Sequence, residues 1–115
     1  MNPVRYLNKA FEISRRREDE RHFYLGAVGI RKDGAIITAC NGAPKEPTPE
    51  HHAETRAIRK CGRGAILFVA RSKANGEWAN AKPCDNCERA LRLKGVKKVY
   101  YTIGPATWGC ITFSS

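Results

Sequence analysis

The chain has 115 residues, which is enough for one domain with a buried core and excludes a second, so residues 1–115 are predicted to fold as a single unit. The opening residues lack the apolar run of a secretory signal, and no stretch approaches the ~20 apolar residues of a membrane span, so we expect a soluble, cytoplasmic protein with no membrane partner. The formal net charge of +10, from 21 Lys and Arg against 11 Asp and Glu, attracts phosphate in a free nucleotide and in a polynucleotide alike, or simply keeps the surface solvated.

The first part of the chain predicts a helix followed by two strands. Residues 3–19 carry apolar side chains at the spacing of an amphipathic helix. Two short apolar runs, residues 24–30 and 35–39, flank Asp33 and Gly34, a pair typical of the tight turn between antiparallel strands. We therefore expect a β-hairpin after the first helix.

A loop rich in Gly and Pro, residues 41–49, leads into a second predicted helix. Thr48 is a good N-cap, Pro49 suits the first helical position, and Gly62 lies where a terminating glycine belongs. These signals predict a helix over residues 49–61.

The second half of the chain predicts a buried strand, a helix and two final strands. Residues 65–70 form a near-continuous apolar run, the pattern of a central strand covered on both faces. Residues 83–94 predict a helix that Gly95 ends. Strands follow at residues 96–103 and 108–113, and the four residues between them are too few for a crossover helix. We therefore expect these two strands to be antiparallel, and the order of elements predicts one mixed sheet with helices packed against it.

Three residues supply a zinc-binding set with an open position. Zinc binds imidazole nitrogen and thiolate sulfur tetrahedrally, and the set is His52 with Cys84 and Cys87. The two cysteines share one face at the start of the third predicted helix, whose positive end favours thiolates. Three protein ligands leave the fourth position to water, which becomes a nucleophile near neutral pH.

Glu54 is a carboxylate that the metal does not need as a ligand, so it is placed to carry protons between that water and a leaving group. His52 and Glu54 are two residues apart, and such side chains do not face the same side of a regular helix. They can therefore approach one metal only at the outward-facing start of the second predicted helix.

The sequence His-Ala-Glu at residues 52–54, followed by Pro-Cys-x-x-Cys at residues 83–87, resembles the signature of the zinc-dependent cytidine and deoxycytidylate deaminase superfamily. The resemblance extends to the two helices that carry the motifs and to the strand order over most of residues 22–103. It implies an α/β, three-layer fold with a five-stranded mixed sheet and helices on both faces. It also implies hydrolytic removal of an amino group from a base, which gives ammonia and, from cytosine, uracil.

The same resemblance assigns roles to individual residues. Zn²⁺ would be held by His52, Cys84 and Cys87. Glu54 would take a proton from the attacking water and deliver it to the ring nitrogen and then to the departing amine. The predicted substrate contacts are Asn41, which would hold the sugar, Ala53, whose main chain would contact the base, and Pro83. A plain turn role before Gly42 is the alternative for Asn41.

The branch of the superfamily is ambiguous at this level. Residues 41–44, Asn-Gly-Ala-Pro, resemble a loop of deoxycytidylate deaminases, and Ala43 stands where free-nucleoside deaminases usually carry a glutamate. The short connection between the last two strands resembles instead nucleoside deaminases and several small bacterial and phage deaminases. We expect a cytosine nucleoside or nucleotide substrate, deoxycytidine or its monophosphate, in pyrimidine salvage.

Two other functions fit the same residues. A polynucleotide deaminase acting on single-stranded DNA or RNA, on cytosine or on adenosine as in tRNA editing, would use the +10 charge and Trp78, the best candidate for stacking on a base. A zinc-stabilised nucleic-acid-binding module without chemistry would make Glu54 dispensable. Relatives commonly assemble as dimers or tetramers that complete each other's pockets, so a homo-oligomer is expected.

The remaining cysteines and aromatic residues are predicted to pack in the core. Cys40, Cys61 and Cys110 lie in apolar neighbourhoods and are predicted to be buried, reduced thiols. Alternation along a strand places one of Tyr100 and Tyr101 in the core.

Overall fold

The described helices and strands follow one another along the chain in nearly the predicted order. The structure is a computed structural model that describes residues 2–15, 24–40, 61–73, 76–83 and 85–113, with the backbone alone at residues 14, 15, 24, 25, 39, 40, 86 and 87. The described elements are α1 (Pro3–Arg15), β1 (Tyr24–Ile30), β2 (Ile36–Cys40), β3 (Ile66–Ser72), β4 (Trp78–Ala79), α2 (Asp85–Leu93), β5 (Lys98–Gly104) and β6 (Thr107–Thr112).

Helix α1 begins at a polar cap that the sequence provides directly. The Asn2 side-chain oxygen accepts a hydrogen bond from the backbone N–H of Val4 at 3.1 Å, and Pro3 occupies the first helical position, where its missing N–H costs nothing. Leu7 and Ala10 on the inner face are fully buried. The predicted continuation of this helix over residues 16–19 lies outside the described part of the chain.

The predicted hairpin forms between β1 and β2. The two strands are antiparallel, with Gly26 opposite Cys40 and Ile30 opposite Ile36. Gly34 has φ of 93°, a left-handed conformation that glycine adopts without steric cost. The Asp33 carboxylate accepts a hydrogen bond from the N–H of Ala35 at 3.1 Å, which stabilises the turn.

The described strands form one mixed sheet in the order β2-β1-β3-β5-β6, and the short β4 pairs with β3 beyond the end of the β3–β5 pairing. Strands β3 and β5 are parallel, and the other pairs are antiparallel. The predicted antiparallel arrangement of the last two strands is confirmed: only Pro105 and Ala106 separate β5 from β6. The predicted five-stranded mixed sheet is confirmed by this five-strand path; the additional β4 was not predicted, because two residues are too few to show a periodicity.

Helices cover both faces of the sheet, as predicted. On one face, which we call the α1 face, Leu7 and Ala10 pack against Val28, Phe68 and Ala70. On the opposite face, the α2 face, the core cluster is formed by Ala27, Leu67, Val69, Ala81, Leu91, Val96, Val99, Tyr101 and Phe113. Neighbouring residues of β1 and β3 alternate between these two clusters, as the two-residue repeat of a strand requires.

Both neighbouring tyrosines of β5 pack, one on each face. Tyr101 is 9% exposed within the α2-face cluster. Tyr100 packs on the α1 face, where its ring is stacked on Phe68 with centroids 5.0 Å apart. The sequence argument placed only one of them in the core because it did not consider that both sheet faces are covered at β5.

Helix α2 ends as predicted at a glycine. Gly95 has φ of 80° and its N–H donates to the Arg92 carbonyl at 3.1 Å, while the N–H of Val96 donates to the Leu91 carbonyl at 3.1 Å. These two bonds define a Schellman motif, and Leu91 and Val96 supply its hydrophobic contact within the α2-face core.

The three additional cysteines differ in burial. Cys61 is 7% exposed, as predicted. Cys110 is exposed, so the prediction that it is buried was wrong. It lies opposite Tyr100 on the edge strand β6, whereas α1 packs on β1 and β3, and an edge strand has a neighbour on one side only. The Cys40 side chain lies outside the described atoms.

Candidate active site

The candidate site lies at one edge of the sheet, which we call the carboxyl edge and define by the ends of β3 (Ala70–Ser72) and β5 (Thr102–Gly104). Because these two strands are parallel, their carboxyl ends lie side by side. The last residue of β2, Cys40, reaches the same edge, since Gly26 pairs both with Cys40 and with Ala70. Ligand sites in open α/β sheets characteristically lie outside the carboxyl ends of strands.

Thr102 organises this edge. Its side chain is fully buried; its hydroxyl donates to the Ala79 carbonyl at 2.7 Å and accepts from the N–H of Arg71 at 3.2 Å. Its own carbonyl accepts from the N–H of Ala81 at 2.9 Å. One residue therefore holds the end of β3 and both ends of the turn that leads from β4 toward Pro83.

Residues 80–83 lead from β4 toward helix α2, and a hydrogen bond and burial hold them in position. The Asn80 side chain accepts a hydrogen bond from the N–H of Lys82 at 3.0 Å. Ala81 is 8% exposed and Pro83 is buried. This segment therefore positions the start of α2 at the carboxyl edge.

The first turn of α2 contains the backbone of Cys87 together with the acidic residues Asp85 and Glu88. The positive end of the helix dipole lies in this turn and favours negatively charged groups such as a thiolate. Of the predicted helix over residues 83–94, residues 85–93 are helical, Pro83 and Lys94 are not, and Cys84 lies outside the described residues.

The predicted second helix can be located at its last residue. Cys61 is the described residue of that segment; it is helical and buried. It packs against the α2 face, since a Cβ added to Gly29 would collide with its sulfur. Shortly after it, the N–H of Gly64 donates to the carbonyl of Gly95 at 2.8 Å, which ties the end of this segment to the end of α2.

Most of the predicted site residues lie outside the described part of the chain. Those residues are Asn41, His52, Ala53, Glu54 and Cys84. Cys87 is described by its backbone alone, and Pro83 and Trp78 are described in full. Within the described ranges, no group of three or more His, Cys, Asp or Glu side chains is arranged to hold a metal ion.

Trp78 lies on the α1 face, not on the face of α2. Its side chain is partly buried against the cluster that includes Leu7 and Phe68, and its backbone pairs with Ser72. This placement supports a packing role for the indole. Stacking on a base stays a prediction.

Sequence reasoning did not identify Thr102 as a site residue. The available signal was a hydroxyl at the carboxyl end of an otherwise apolar strand, where a buried polar group needs hydrogen-bond partners. Which backbone groups it bonds depends on β4, whose two residues the sequence did not predict.

Known families and folds are similar to this chain over most of its length. The family model described as "Cytidine and deoxycytidylate deaminase zinc-binding region" matches residues 2–103. Cytidine deaminase from Burkholderia pseudomallei is similar with a TM-score of 0.69 at 15% identity, covering 97% of this chain and 93% of that chain. Cytidine deaminase from Mycobacterium leprae has a TM-score of 0.61 at 18% identity, with coverage of 96% and 93%. No curated protein sequence matches significantly.

A third solved structure, RibD of Acinetobacter baumannii, has a TM-score of 0.60 at 24% identity and covers 93% of this chain but 30% of its own. At such identities the structural likeness shows the fold alone. Neither helix in the described part of the chain has the length and apolar character needed to cross a membrane.

Proposed function

This chain belongs to the family of cytidine and deoxycytidylate deaminases with a zinc-binding region, and from that membership we propose that it is a zinc-dependent hydrolytic deaminase of a cytosine nucleoside or nucleotide. Water replaces the exocyclic amino group of the base, so the products are ammonia and the uracil compound. The zinc ligands in this proposal are His52, Cys84 and Cys87, and the proton carrier is Glu54.

One observation carries the proposal: the segments that contain the two motifs end together on one face of the sheet. Gly64, just after Cys61, is hydrogen-bonded to Gly95, just after α2. If residues 52–61 are helical, as the sequence predicts, His52 lies about 14 Å along that helix from Cys61, and Cys87 lies about 9 Å along α2 from its last residue, Leu93. Two helices that end side by side and run in the same direction bring their first turns to the same side of the sheet, where the carboxyl edge lies.

The donor set suits zinc. One imidazole and two thiolates are ligands that zinc prefers, and three protein ligands leave a position open. When bound, zinc supplies a water molecule that can attack near neutral pH. The positive end of the α2 dipole lies in the first turn and favours the Cys87 thiolate.

The residues of this chain would move the protons and hold the base. Glu54 accepts a proton from the attacking water and gives it to the ring nitrogen; it then takes the proton that remains on the added hydroxyl group and transfers it to the leaving amine. Ala53 and Pro83 form the wall against which the base lies. Cys40, the residue before Asn41, ends β2 at the carboxyl edge, which supports a role for Asn41 in holding the sugar.

The substrate we favour is a free nucleoside or nucleotide, deoxycytidine or its monophosphate. The antiparallel β5–β6 pair supports the nucleoside, because it resembles the arrangement in nucleoside deaminases, whereas the loop at residues 41–44 resembles that of deoxycytidylate deaminases and supports the monophosphate. A polynucleotide substrate is the second candidate, and the net charge of +10 is the observation that favours it. We also propose that the protein works as a homo-oligomer in the cytoplasm.

A deamination assay tests the proposal. The protein is incubated with deoxycytidine, deoxycytidine monophosphate, cytidine, adenosine and a cytosine-containing single-stranded oligonucleotide, and products are measured by mass spectrometry. We expect turnover of a free cytosine compound and about one zinc per chain. Glu54→Gln should lower turnover by at least about 100-fold while zinc content is unchanged, a loss typical of a removed acid–base group.

Glu12→Gln, which removes an exposed carboxylate on α1, is the control and should retain full turnover. If only the oligonucleotide were turned over, we would conclude that the substrate is a polynucleotide and not a free nucleoside or nucleotide. Absence of product from every substrate with zinc bound, or full activity of Glu54→Gln, would contradict the deaminase assignment.

A further inference from the structure

A groove lined by cations lies at the end of the molecule opposite the carboxyl edge. It has a volume of about 510 Å³, and its charged residues are Arg63, Arg92 and Lys97. It is formed where α2 ends and where β3 and β5 begin. We call it the distal groove.

The charges in the distal groove all have one sign. Arg63, Arg92 and Lys97 are exposed, and no Asp or Glu occurs among its described lining residues. The side chain of Lys32 lies alongside Gly64, another lining residue, and adds a fourth cation nearby. Like charges repel one another, so an anion that bridges them is favourable, and Asp85 and Glu88, which lie beside Arg92 on α2, offset only part of this charge.

Two of the cations are held in position by their neighbours. The guanidinium of Arg92 lies over the ring of Phe113, 5.8 Å from its centroid. Arg63 lies directly against the backbone of Gly95, where an added Cβ would be 2.8 Å from its Cγ and 2.9 Å from one of its terminal nitrogens. The absence of a side chain at Gly95 is what leaves room for Arg63.

The walls of the groove are rigid. The N–H of Gly64 donates to the Gly95 carbonyl at 2.8 Å, and the N–H of Phe113 donates to the Lys97 carbonyl at 3.0 Å. The floor consists of Val96, which is 2% exposed, and Phe113, which is 8% exposed. A ligand would therefore enter a site whose backbone is already in place, which lowers the entropic cost of binding.

We propose that the distal groove binds a small ligand that carries two or more adjacent phosphate groups, as in a free di- or triphosphate. Arginine guanidinium groups match phosphate oxygens with paired hydrogen bonds, and lysine adds a point charge. The volume is that of a small-molecule site. Three cations spread around such a volume can contact more than one phosphate group at once, which suits a short chain of them.

The distal groove is separate from the proposed catalytic site. Helix α2 spans nine residues, so its two ends are about 14 Å apart, with Cys87 in the first turn and the groove at the last. The inference therefore does not rest on the deaminase reaction, and binding is measured without any substrate.

Titration of the zinc-loaded protein with inorganic tripolyphosphate tests the proposal. Binding is measured by calorimetry at low salt. The binding site is located by NMR, from shifts in the amide resonances of Gly64, Gly95 and Val96. We expect these resonances to shift and the affinity to fall about tenfold in Arg63→Gln and in Arg92→Gln, the loss expected for one charge-assisted phosphate contact. Both side chains are exposed, so the variants should fold normally, which circular dichroism verifies.

Arg89→Gln is the matched control, because Arg89 is an exposed arginine on the same helix that does not line the groove. An equal loss of affinity in Arg89→Gln would show a diffuse charge effect and overturn the proposal. So would a lack of tripolyphosphate binding at millimolar concentration. Binding of a thymidine oligonucleotide that depends on Arg63 and Arg92, without binding of tripolyphosphate, would also overturn it, since the ligand would then be a polynucleotide backbone.

Discussion

The hydroxyl of Thr102 donates a 2.7 Å hydrogen bond to the carbonyl of Ala79, and both residues are buried at the carboxyl edge. The same oxygen accepts the N–H of Arg71. Because the bonds join β3, β4 and β5 just before the chain turns toward Pro83, the position of the start of α2 depends on one side chain. A buried hydroxyl with two backbone partners is costly to remove, since the partners lose a bond that water does not replace.

We expect Thr102→Val to lower the free energy of unfolding by about 2 kcal/mol, because the substitution keeps the shape and removes the hydroxyl. Thr102→Ser keeps the hydroxyl and loses one methyl group, so it should cost about 1 kcal/mol. Urea unfolding of the three proteins measures the difference. A smaller loss in the valine variant than in the serine variant would show that the hydroxyl contributes less than the methyl group.

Gly95→Ala should lower the free energy of unfolding by more than Gly62→Ala. Both glycines have positive φ, 80° and 74°, so an L side chain at either position costs about 1–2 kcal/mol. At Gly95 the new Cβ also meets Arg63, whereas at Gly62 nothing lies within 4 Å. Thermal unfolding gives the comparison, and equal losses would indicate that Arg63 moves aside without cost.

Gly109→Ala should destabilise the protein through crowding alone. An added Cβ would be 2.8 Å from the end of the Tyr101 ring, which is buried in the α2-face core, and overpacking of this kind costs about 1–3 kcal/mol. Gly104→Ala is the control in the same hairpin, since nothing lies within 4 Å of that position. It should leave the free energy of unfolding unchanged within about 0.5 kcal/mol. A stable Gly109→Ala variant would mean that the tyrosine ring tilts freely.

Cys110 should react with iodoacetamide in the native protein much faster than Cys61. Cys110 is exposed, and Cys61 is 7% exposed on the α2 face. Alkylation of Cys61 requires local opening, which should slow it at least about 100-fold. Peptide mapping by mass spectrometry separates the two sites from the other cysteines, and the difference should vanish in guanidinium chloride. Equal rates in the folded protein would contradict the burial of Cys61.

Much of the fold follows from local sequence signals. The Asp33-Gly34 turn, the apolar run of β3 and the terminating Gly95 are each recognisable, because each depends on the residues within one element. The antiparallel β5–β6 pair followed from the length of its connection. Features set by tertiary contacts were missed: β4 exists because β3 offers it a partner, and Cys110 is exposed because β6 is at the edge.

For the candidate site too, the sequence predicted some features and missed others. The residue types at positions 52–54 and 83–87 and their spacing predict the chemistry, since zinc ligands and an acid–base carboxylate are identified by their functional groups. The sequence did not predict which residues hold the site in position. Thr102 acts through backbone groups far away in the chain, and Trp78 packs on the α1 face because pairing with Ser72 orients it there.

Both tryptophans contact residues of the α1 face, so indole fluorescence reports on that face of the sheet. Trp78 packs against the α1-face cluster, and Trp108 contacts Tyr100 with ring centroids 5.8 Å apart, while the α2-face cluster contains Tyr101 and Phe113 but no indole. Emission excited selectively from indole therefore reports docking of the N-terminal helix and is silent about the opposite layer. Kinetic refolding followed in this way would therefore give the rate at which the α1 face forms.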